Sequence, residues 1–438
     1  MSPVRPPDDN AADEENLVAG SRESNNRVLR PQDGKATQWS SLVRSGSPSA
    51  SGGGDHWSLL LLVALVPFGG HLFKSAMSAL QPLLAMSTKQ YGLLFSAFAL
   101  PNATVAPVIG GILFDLPRVR KHALVMFALI ALVGGLICAG GVGSTRADSG
   151  ALAAAYFGAA LLGMGQGCIV VACRAAASSY SHINFAQGIL VGVANLASFT
   201  AKASAATLAD ATSVHLALAT LVVVQIGSLI AAMLQPRKAS TNSSHACRWQ
   251  SHHAGLSFKR MCCASNKFLR SNAFWLIAIS HAVVVVGFKV FENYSSVILV
   301  AAYGYNPQKA GLVASVVPLA SVFLAPLIGL ASDAAHSSGV PIVLATCCAL
   351  VGFGLLALAP YLLPPPAPVL MLAVAHAVLP TLLLARVPAT VDDDSIGVAF
   401  GVCEILAAIG NVLVHAASGW IAANQKALPD HGSGSLRR

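Results

Sequence analysis

The stretch GGILFDLPRVRK, Gly110 to Lys121, places four charged residues directly after a long apolar run. Asp115 ends the run, and Arg118, Arg120 and Lys121 follow it. Charged residues are only 10% of the 438 in this chain, against roughly 25% in an ordinary soluble domain. Such a concentration of charge in so apolar a chain predicts a short loop at a membrane surface, between two membrane-spanning helices.

The rest of the chain repeats this alternation of apolar runs and short polar connections. Residues of the set AVILMFWYC make up 55% of the chain, and a run of about 20 such residues is long enough to cross a bilayer. We predict eleven spans, at 57–84, 90–114, 121–141, 151–173, 184–207, 213–234, 272–302, 309–332, 339–360, 366–386 and 395–424. The predicted fold class is therefore an all-α polytopic membrane protein. The formal charge of +9 lies in loops and tails, which indicates membrane orientation and no nucleic-acid partner.

The spacing of the spans divides the chain into predicted segments. These are a disordered polar tail (1–56), a bundle of six spans (57–234), a basic central loop (235–271), a bundle of five spans (272–424) and a second polar tail (425–438). The connections on one side of the membrane carry most of the lysines and arginines, whereas those on the other side contain only Arg146. The positive-inside rule therefore predicts that the amino terminus and the central loop are cytosolic.

The second group of spans repeats the first. Span 2 reads GLLFSAFALPNATVAPVIGG from Gly92, and span 8 reads GLVASVVPLASVFLAPLIGL from Gly311. The match of GILVGV in span 5 to GVAFGV in span 11 aligns Gly188 with Gly397. Parallel repeats related by an axis along the membrane normal are typical of transporters that bind their solute between two halves, near the middle of the membrane.

The opening stretch resembles the signature between spans 2 and 3 of the major facilitator superfamily, G-x-L-x-D followed by basic residues. The resemblance implies two pseudo-symmetric helical bundles, with a twelfth span missing from the pattern here. It also implies a cytosolic charge network that holds the bundles together in one state and releases them in another. The implied gating residues are Gly111, Asp115, Arg118, Arg120 and Lys121, with Asp333 at the matching place after span 8. A simple cytosolic anchor would explain the cations but not the glycine and the acid.

Three stretches are similar to the group of the major facilitator superfamily domain-containing protein 1, the lysosomal dipeptide transporters: LLFSAFALPNATVAPVIGGILFD, SVVPLASVFLAPLIGLASD and GVAFGVCEILAAIGN. The resemblance implies a lysosomal or vacuolar membrane, with the plasma membrane as the alternative, and a glycosylated accessory subunit as a partner. The chain departs from the pattern at Ala159 and Phe199, where an arginine would stand, and at Gly167, where the group carries an acid. The missing twelfth span favours a truncated sequence.

Ionisable residues inside the spans are the candidate functional residues, because each costs about 2.5–3.5 kcal/mol at the centre of a bilayer. Lys289 and Glu292 are three residues apart and can pair on one helix face. Such a pair alone would only stabilise the helix, yet Lys74 in span 1 has no neighbouring acid. Arg174 and Arg386, which end spans 4 and 10, are predicted to anchor those spans at the cytosolic surface. We predict a central cavity whose substrate-binding residues are Lys74, Lys202, Lys289, Glu292, Asn293, Glu404, His71 and His376.

Such a cavity favours a solute with a carboxylate for a lysine and an amine for an acid, as in a dipeptide or an amino acid. The predicted function is secondary active or facilitative transport of a small solute across the lipid bilayer by alternating access, with proton symport and uniport both open. The alternatives are transport of an organic anion or a sugar, and a non-transporting scaffold or sensor. The sequence shows no pattern for catalysis, a phosphate-binding loop or a metal site, so we expect neither an enzyme nor a cofactor.

Overall fold

A computed structural model describes residues 53–80, 83–84, 86, 88–143, 149–235, 268–305, 307–358, 364 and 366–427. Within these ranges the regular structure is entirely helical, and eleven segments are long and apolar enough to cross a membrane. The prediction of an all-α protein with eleven spans is confirmed. The predictions for residues 1–52, nearly all of the central loop and residues 428–438 concern segments that lie outside the described residues, whereas residues 53–56 of the predicted tail belong to the first helix.

The helices follow the predicted spans. Span 1 is formed by Gly53–Leu65 and Phe68–Leu80, span 2 by Thr88–Ala103 and Val105–Asp115, span 3 by Pro117–Gly143, span 4 by Ser149–Ala177, span 5 by Ile183–Ala211 and span 6 by Val214–Met233. Span 7 is Asn272–Tyr303, span 8 comprises Pro307–Ala314 and Val316–Ala334, span 9 is Gly339–Leu358, span 10 is Pro366–Ala385 and span 11 is Ile396–Ala427. Two 3₁₀ turns, Val387–Thr390 and Asp393–Ser395, connect spans 10 and 11. Residues from Trp57 onward form one compact unit, to which all contacts below belong.

Prolines explain why spans 2 and 8 each consist of two helices. Proline lacks an N–H, and its ring collides with the carbonyl group four residues earlier. In span 2 the first helix ends at Ala103, four residues before Pro107, and in span 8 it ends at Ala314, four residues before Pro318. Because the next helix begins two residues later in both cases, each span bends and continues.

Span 1 is also interrupted, and side chains from spans 4 and 6 replace the missing backbone hydrogen bonds. Ser228 Oγ accepts a hydrogen bond from Gly69 N (2.9 Å) and donates one to Leu65 O (3.1 Å), two groups that would pair directly in a regular helix. Gln166 Nε2 donates to Pro67 O (3.1 Å). Backbone polar groups without partners are costly inside a membrane, so these side chains make the interruption tolerable. They also hold the second helix of span 1, which carries the lysine of the candidate site.

Spans 4 and 10 occupy the interior, and span 9 the periphery. In an 18-residue apolar stretch of each, 67% of span 4 and 72% of span 10 is buried, against 17% of span 9. Leu162 in span 4 and Leu372 and Leu379 in span 10 are completely buried. The apolar face of span 9 therefore lies where lipid would contact it.

Candidate functional site

Three of the predicted site residues meet in one ion-pair cluster. Glu292 and Lys289 lie one turn apart on span 7, as their spacing predicts, and Lys289 Nζ is 2.5 Å from Glu292 Oε2. Lys202 from span 5 reaches the other oxygen of the same carboxylate, with 3.3 Å between Nζ and Oε1. Two ammonium groups thus share one carboxylate, and the Lys202 contact joins a span of the first six to a span of the last five.

Lys74 lies near this cluster but forms no ion pair with any residue that the structure describes. Its Nζ lies over the rings of Phe95 and Phe98 on span 2, 5.8 and 5.7 Å from their centroids. Besides the cluster, the charge of Glu404 acts on its ammonium group. A cation–π contact contributes about 0.5–2 kcal/mol, less than the roughly 2.5–3.5 kcal/mol that a charge costs at the membrane centre. Of the three lysines, Lys74 therefore has the most to gain from an anionic ligand.

The two predicted histidines lie beside the lysines. His376 Nδ1 is 2.8 Å from Ser321 Oγ on span 8, and its ring packs edge-on against Phe288 with 5.0 Å between centroids. The backbone N–H of His71 donates to Pro67 O (3.1 Å), at the interruption of span 1. Asn293 follows Glu292 in span 7, and its side chain lies outside the described part of the structure.

A second ionic cluster joins spans 4, 7 and 11. Arg174 Nη1 is 2.9 Å from Glu404 Oε1, and His281 Nε2 is 3.9 Å from the same oxygen. His281 is only 1% exposed, and neither of its ring nitrogens has a hydrogen-bond partner among the described residues. Arg174 lies in the last turn of span 4, so its anchoring role stays a prediction, and its guanidinium also pairs with the partly exposed carboxylate of Glu404 on span 11. The ion-pair partner of Glu404 is this arginine and none of the three lysines.

Asp115 binds the start of a helix from the second half of the chain. Its carboxylate accepts hydrogen bonds from the backbone N–H groups of Gly397 and Val398, the second and third residues of span 11, both at 3.0 Å. One turn earlier, Gly111 packs directly on Gly397: a Cβ added to Gly111 would lie 2.6 Å from the carbonyl carbon of Gly397. A side chain larger than glycine at either position would separate spans 2 and 11.

Asp333 makes the equivalent contact between spans 8 and 5. Its carboxylate accepts hydrogen bonds from Asn184 N (3.3 Å), Phe185 N (2.9 Å) and Asn184 Nδ2 (2.7 Å). One turn earlier, a Cβ added to Gly329 would lie 2.7 Å from the carbonyl carbon of Asn184. Carboxylates are favourable at helix amino termini, where unpaired N–H groups and the helix dipole attract negative charge. We call the end of the molecule that holds both contacts the inner end.

The basic residues of the opening stretch follow the Asp115 contact along the chain. Arg118, Arg120 and Lys121 lie in the first turns of span 3, and their side chains fall outside what the structure describes. Their part in a gating network stays a prediction.

The same pair of helix contacts corrects the alignment of span 5 with span 11. A Cβ on Gly188 would lie 2.8 Å from the carbonyl carbon of Ala325, and a Cβ on Gly401 would lie 3.0 Å from that of Pro107. Equivalent contacts therefore align Gly188 with Gly401, whereas the sequence match aligns it with Gly397. Both segments contain G-x-x-x-G, which repeats nearly every helical turn, so a shift of one turn leaves the sequence match intact.

Arg174, Phe95 and Phe98 are residues of these clusters that the sequence did not predict. The one signal for Arg174 was indirect, since an acid inside span 11 requires a cation from another span. Phe95 and Phe98 are three residues apart on one face of span 2, a spacing that apolar lipid-facing residues share.

Comparison with known proteins identifies the family and the fold. The family model of the Major Facilitator Superfamily matches residues 59–415. The fold is similar to that of the human organic anion transporter MFSD10 (TETRAN), with 15% identity and a TM-score of 0.56 over 82% of this chain and 94% of that one. It is also similar to FucP in the outward conformation, with 16% identity and a TM-score of 0.61 over 83% of this chain and 92% of that one.

A third similar structure is the proton:xylose symporter XylE, with 14% identity and a TM-score of 0.62 over 84% of this chain and 90% of that one. At these identities the likeness concerns the fold alone. The sequence matches none of the curated proteins.

Proposed function

We propose a solute class and its binding residues from one established premise: the chain belongs to the major facilitator superfamily. It is accordingly a multi-pass membrane transporter with the helical fold of that superfamily. We propose that it moves a small solute that carries a carboxylate, with dipeptides or amino acids as the favoured class, as a secondary active or facilitative transporter. The proposed binding residues are Lys74, Lys202, Lys289, Glu292, Glu404, Asn293, His71 and His376.

The observation that carries this proposal is the net charge of Lys74 together with the ion-pair cluster of Lys202, Lys289 and Glu292. Lys74, Lys202 and Lys289 supply three positive charges and Glu292 one negative charge, which leaves +2. Within the described part of the chain, the ammonium group of Lys74 has contacts with two aromatic rings and no ion-pair partner, so a solute carboxylate would supply the opposite charge. Charge-assisted hydrogen bonds to a carboxylate are about twice as strong as neutral ones, so one such contact contributes substantially to binding.

The amine of a zwitterionic solute has a plausible acceptor in Glu292. The contact of Glu292 with Lys202 (3.3 Å) is longer than that with Lys289 (2.5 Å), so the Lys202 side is the weaker one. A solute ammonium group that takes the place of Lys202 would free this lysine to bind the solute carboxylate together with Lys74. Binding would then replace a direct contact between spans 5 and 7 by contacts through the solute.

An organic anion is the second candidate, and one observation favours it. Glu292 is already shared by two lysines, so a solute without an amine would leave that pairing intact and bind Lys74 alone. A sugar would need neither the positive charge nor a carboxylate partner. A non-transporting scaffold or sensor would need no solute site at all.

We further propose a location and a gate. The lysosomal or vacuolar membrane, a glycosylated accessory subunit and a cytosolic amino terminus follow from the resemblance of three spans and from the distribution of cations. The inner end would then face the cytosol, and Gly111, Asp115 and Asp333, with Arg118, Arg120 and Lys121, would close it.

Uptake into proteoliposomes tests the solute class with three matched ligands: a radiolabelled neutral dipeptide, its N-acetyl derivative and its C-terminal amide. We expect uptake of the dipeptide and none of the amide. If the N-acetyl derivative is not taken up, the site requires a zwitterion. If it is taken up, the site accepts an organic anion. Lys74→Ala should reduce dipeptide uptake about 10- to 100-fold, the effect of losing a charged hydrogen bond.

Lys309→Ala is the matched control, because Lys309 is an exposed lysine that also lies over an aromatic ring, 4.3 Å from the centroid of Tyr305. Equal uptake of the amide and the free dipeptide, or equal loss in both lysine variants, would contradict a carboxylate site at Lys74.

A further inference from the structure

Phe95 of span 2 faces the interior of the protein beside Lys74. Leu93 and Leu100 are 50% and 63% exposed and mark the outward face of this helix, because a separation of seven residues is nearly two full turns. Phe95 follows Leu93 by two residues, which places it about 200° further around the helix axis and so on the opposite face. Phe95 is nevertheless only partly buried. Its open surface therefore lies towards the other spans, where the ammonium group of Lys74 meets it.

Three rings form a continuous aromatic wall along span 2, which we define as Tyr91, Phe95 and Phe98. The ring centroids of Phe95 and Phe98 are 6.2 Å apart, and those of Tyr91 and Phe95 are 6.4 Å apart, within the range of about 4.5–7 Å in which aromatic pairs attract. The hydroxyl group of Tyr91 donates to Met77 O on span 1 (3.4 Å). The aromatic wall therefore extends from the ammonium group of Lys74 towards the end of the molecule opposite the inner end.

Span 4 fixes the position of this aromatic wall. A Cβ added to Gly163 would collide with Phe98 O, so the two helices are in direct contact at this residue. The hydroxyl group of Tyr156 donates to Gln90 O near the start of span 2 (3.4 Å). Phe98 itself is only 5% exposed. Phe98 therefore supports the aromatic wall from within the protein, and Phe95 presents the surface that a ligand can contact.

The second half of the chain carries smaller side chains at the matching places. In the alignment of span 8 with span 2, Ala314 and Val317 correspond to Phe95 and Phe98. The lysine of that half, Lys289, is paired with a carboxylate on its own helix. Smaller side chains therefore satisfy the packing of the same fold at these places, and the two rings beside a lysine are a feature of the first half that packing does not explain.

The aromatic wall restricts how an anionic ligand can approach Lys74. The faces of aromatic rings are negative, so they attract an ammonium group and repel a carboxylate. A carboxylate that binds Lys74 therefore lies beside the rings, and the next group of the ligand lies against the open surface of Phe95. An apolar group gains from burial there, whereas a charged or strongly polar group would lose water without finding a new partner. An aromatic group gains most, because ring pairs attract beyond the area that they bury.

From this geometry we propose that the aromatic wall determines specificity, and that it selects carboxylate solutes with an aromatic group next to the carboxylate. The inference rests on the proposed function, because it takes the solute carboxylate at Lys74 as given. In a dipeptide, the side chain next to the carboxylate is that of the carboxyl-terminal residue. The preferred solutes are therefore dipeptides with an aromatic carboxyl-terminal residue, and Phe95 is the residue that distinguishes them from other dipeptides.

Two isomeric dipeptides, glycyl-phenylalanine and phenylalanyl-glycine, test the aromatic wall. They have the same composition and charge, and they differ in whether the phenyl ring belongs to the residue that carries the carboxylate. In proteoliposomes that contain the wild-type protein, we expect the ratio of their kcat/KM values for uptake to favour glycyl-phenylalanine about 3- to 10-fold, the range that one aromatic pair provides. A ratio below about 2 in the wild type would overturn the proposal.

Phe95→Ala should reduce this ratio to below about 2, and Phe95→Tyr, which keeps a ring, should retain it. The ratio is the decisive quantity, because a change in the surroundings of Lys74 or in the packing of span 2 would affect both isomers equally. Phe95→Leu keeps the apolar bulk without the ring and should also lower the ratio, which provides a second variant if Phe95→Ala does not fold. Phe157→Ala is the matched control, since Phe157 of span 4 is 60% exposed, and it should keep the wild-type ratio. A folded Phe95→Ala or Phe95→Leu with the wild-type ratio would contradict the assignment of specificity to this residue.

Failure of this proposal is distinguishable from failure of the proposed function. If both isomers are taken up at equal rates and Lys74→Ala abolishes the uptake of both, the solute class stands and the role of the aromatic wall is wrong. If neither isomer is taken up, the dipeptide class is wrong, and calorimetric titration of the purified protein with 3-phenylpropionate and hexanoate tests the aromatic wall. Tighter binding of 3-phenylpropionate that Phe95→Ala removes supports the proposal, whereas equal affinities or no binding overturns it.

Discussion

Replacement of Asp115 by asparagine should shift the protein towards conformations that are open at the inner end. The carboxylate accepts two hydrogen bonds of 3.0 Å from the start of span 11, whereas an asparagine amide offers one oxygen. One hydrogen bond to a charged group contributes about 1.5–3 kcal/mol, and a negative charge at a helix amino terminus about 0.3–1 kcal/mol. Both exist only while spans 2 and 11 are in contact, so Asp115→Asn should cost the closed state about 2–4 kcal/mol, a factor of roughly 30 to 900 in the equilibrium.

A second variant separates the same helices by steric means and leaves the carboxylate in place. A Cβ on Gly397 would lie 2.6 Å from Gly111 O, so Gly397→Ala should also favour the open inner end. Gly227→Ala is the matched control, because a Cβ on this glycine of span 6 meets nothing within 4 Å.

Spin labels on cysteines that replace Ser181 and Ser337, exposed residues in the loops that follow spans 4 and 8, provide the assay for these variants, because double electron–electron resonance measures the distance between them at the inner end. We expect a larger long-distance population than in the wild type for Asp115→Asn and for Gly397→Ala, and an unchanged population for Gly227→Ala. The reasoning is refuted if Asp115→Asn keeps the wild-type distances although Gly397→Ala changes them, since the carboxylate would then contribute nothing to closure.

Two further predictions concern stability, measured by thermal unfolding in detergent. Glu292→Gln should lower the melting temperature because it leaves two lysines unpaired. The loss should be smaller than the roughly 3–5 kcal/mol of a fully buried pair, because the Lys202 and Lys289 side chains are 33% and 39% exposed. Adding Lys202→Gln should recover part of the loss, and a double variant no more stable than the single one would contradict the pairing. Ser228→Ala should cost about 1–3 kcal/mol because Gly69 N and Leu65 O lose their shared partner, whereas Ser204→Ala, at an exposed serine that bonds only within its own helix, should have little effect.

The spans were predictable because length and hydropathy determine them directly. A run of about 20 apolar residues has few alternatives to a membrane helix, and all eleven predicted runs became helices. The bends in spans 2 and 8 lie four residues before Pro107 and Pro318, but Pro101 and Pro326 lie inside helices of the same spans, so the sequence alone does not show which proline marks the end of a helix. The interruption of span 1 could not be predicted either, because its stability depends on Ser228, far away in the chain.

The site was predictable only where partners are close in sequence. The pair of Lys289 with Glu292 follows from a spacing of three residues on a helix, and the structure contains it. The partner of Glu404 is on another span, and a periodic pattern does not record which helices become neighbours. The same limit explains the one-turn error in the alignment of span 5 with span 11, where G-x-x-x-G matched itself in two registers.

The uneven distribution of partners among the cations supports the proposed solute site at Lys74. Charges inside a membrane are normally paired, because an unpaired one is costly. Arg174 has Glu404, and Lys202 and Lys289 share Glu292, whereas Lys74 has two phenyl rings. The ion pairs of Arg174 with Glu404 and of Lys202 with Glu292 each connect a first-half span to a second-half span. Under the proposed function, a zwitterionic solute bound at Lys74 would act on one of these connections, because its ammonium group would compete with Lys202 for Glu292. Binding at one lysine would in this way loosen one of the contacts that hold the two halves together.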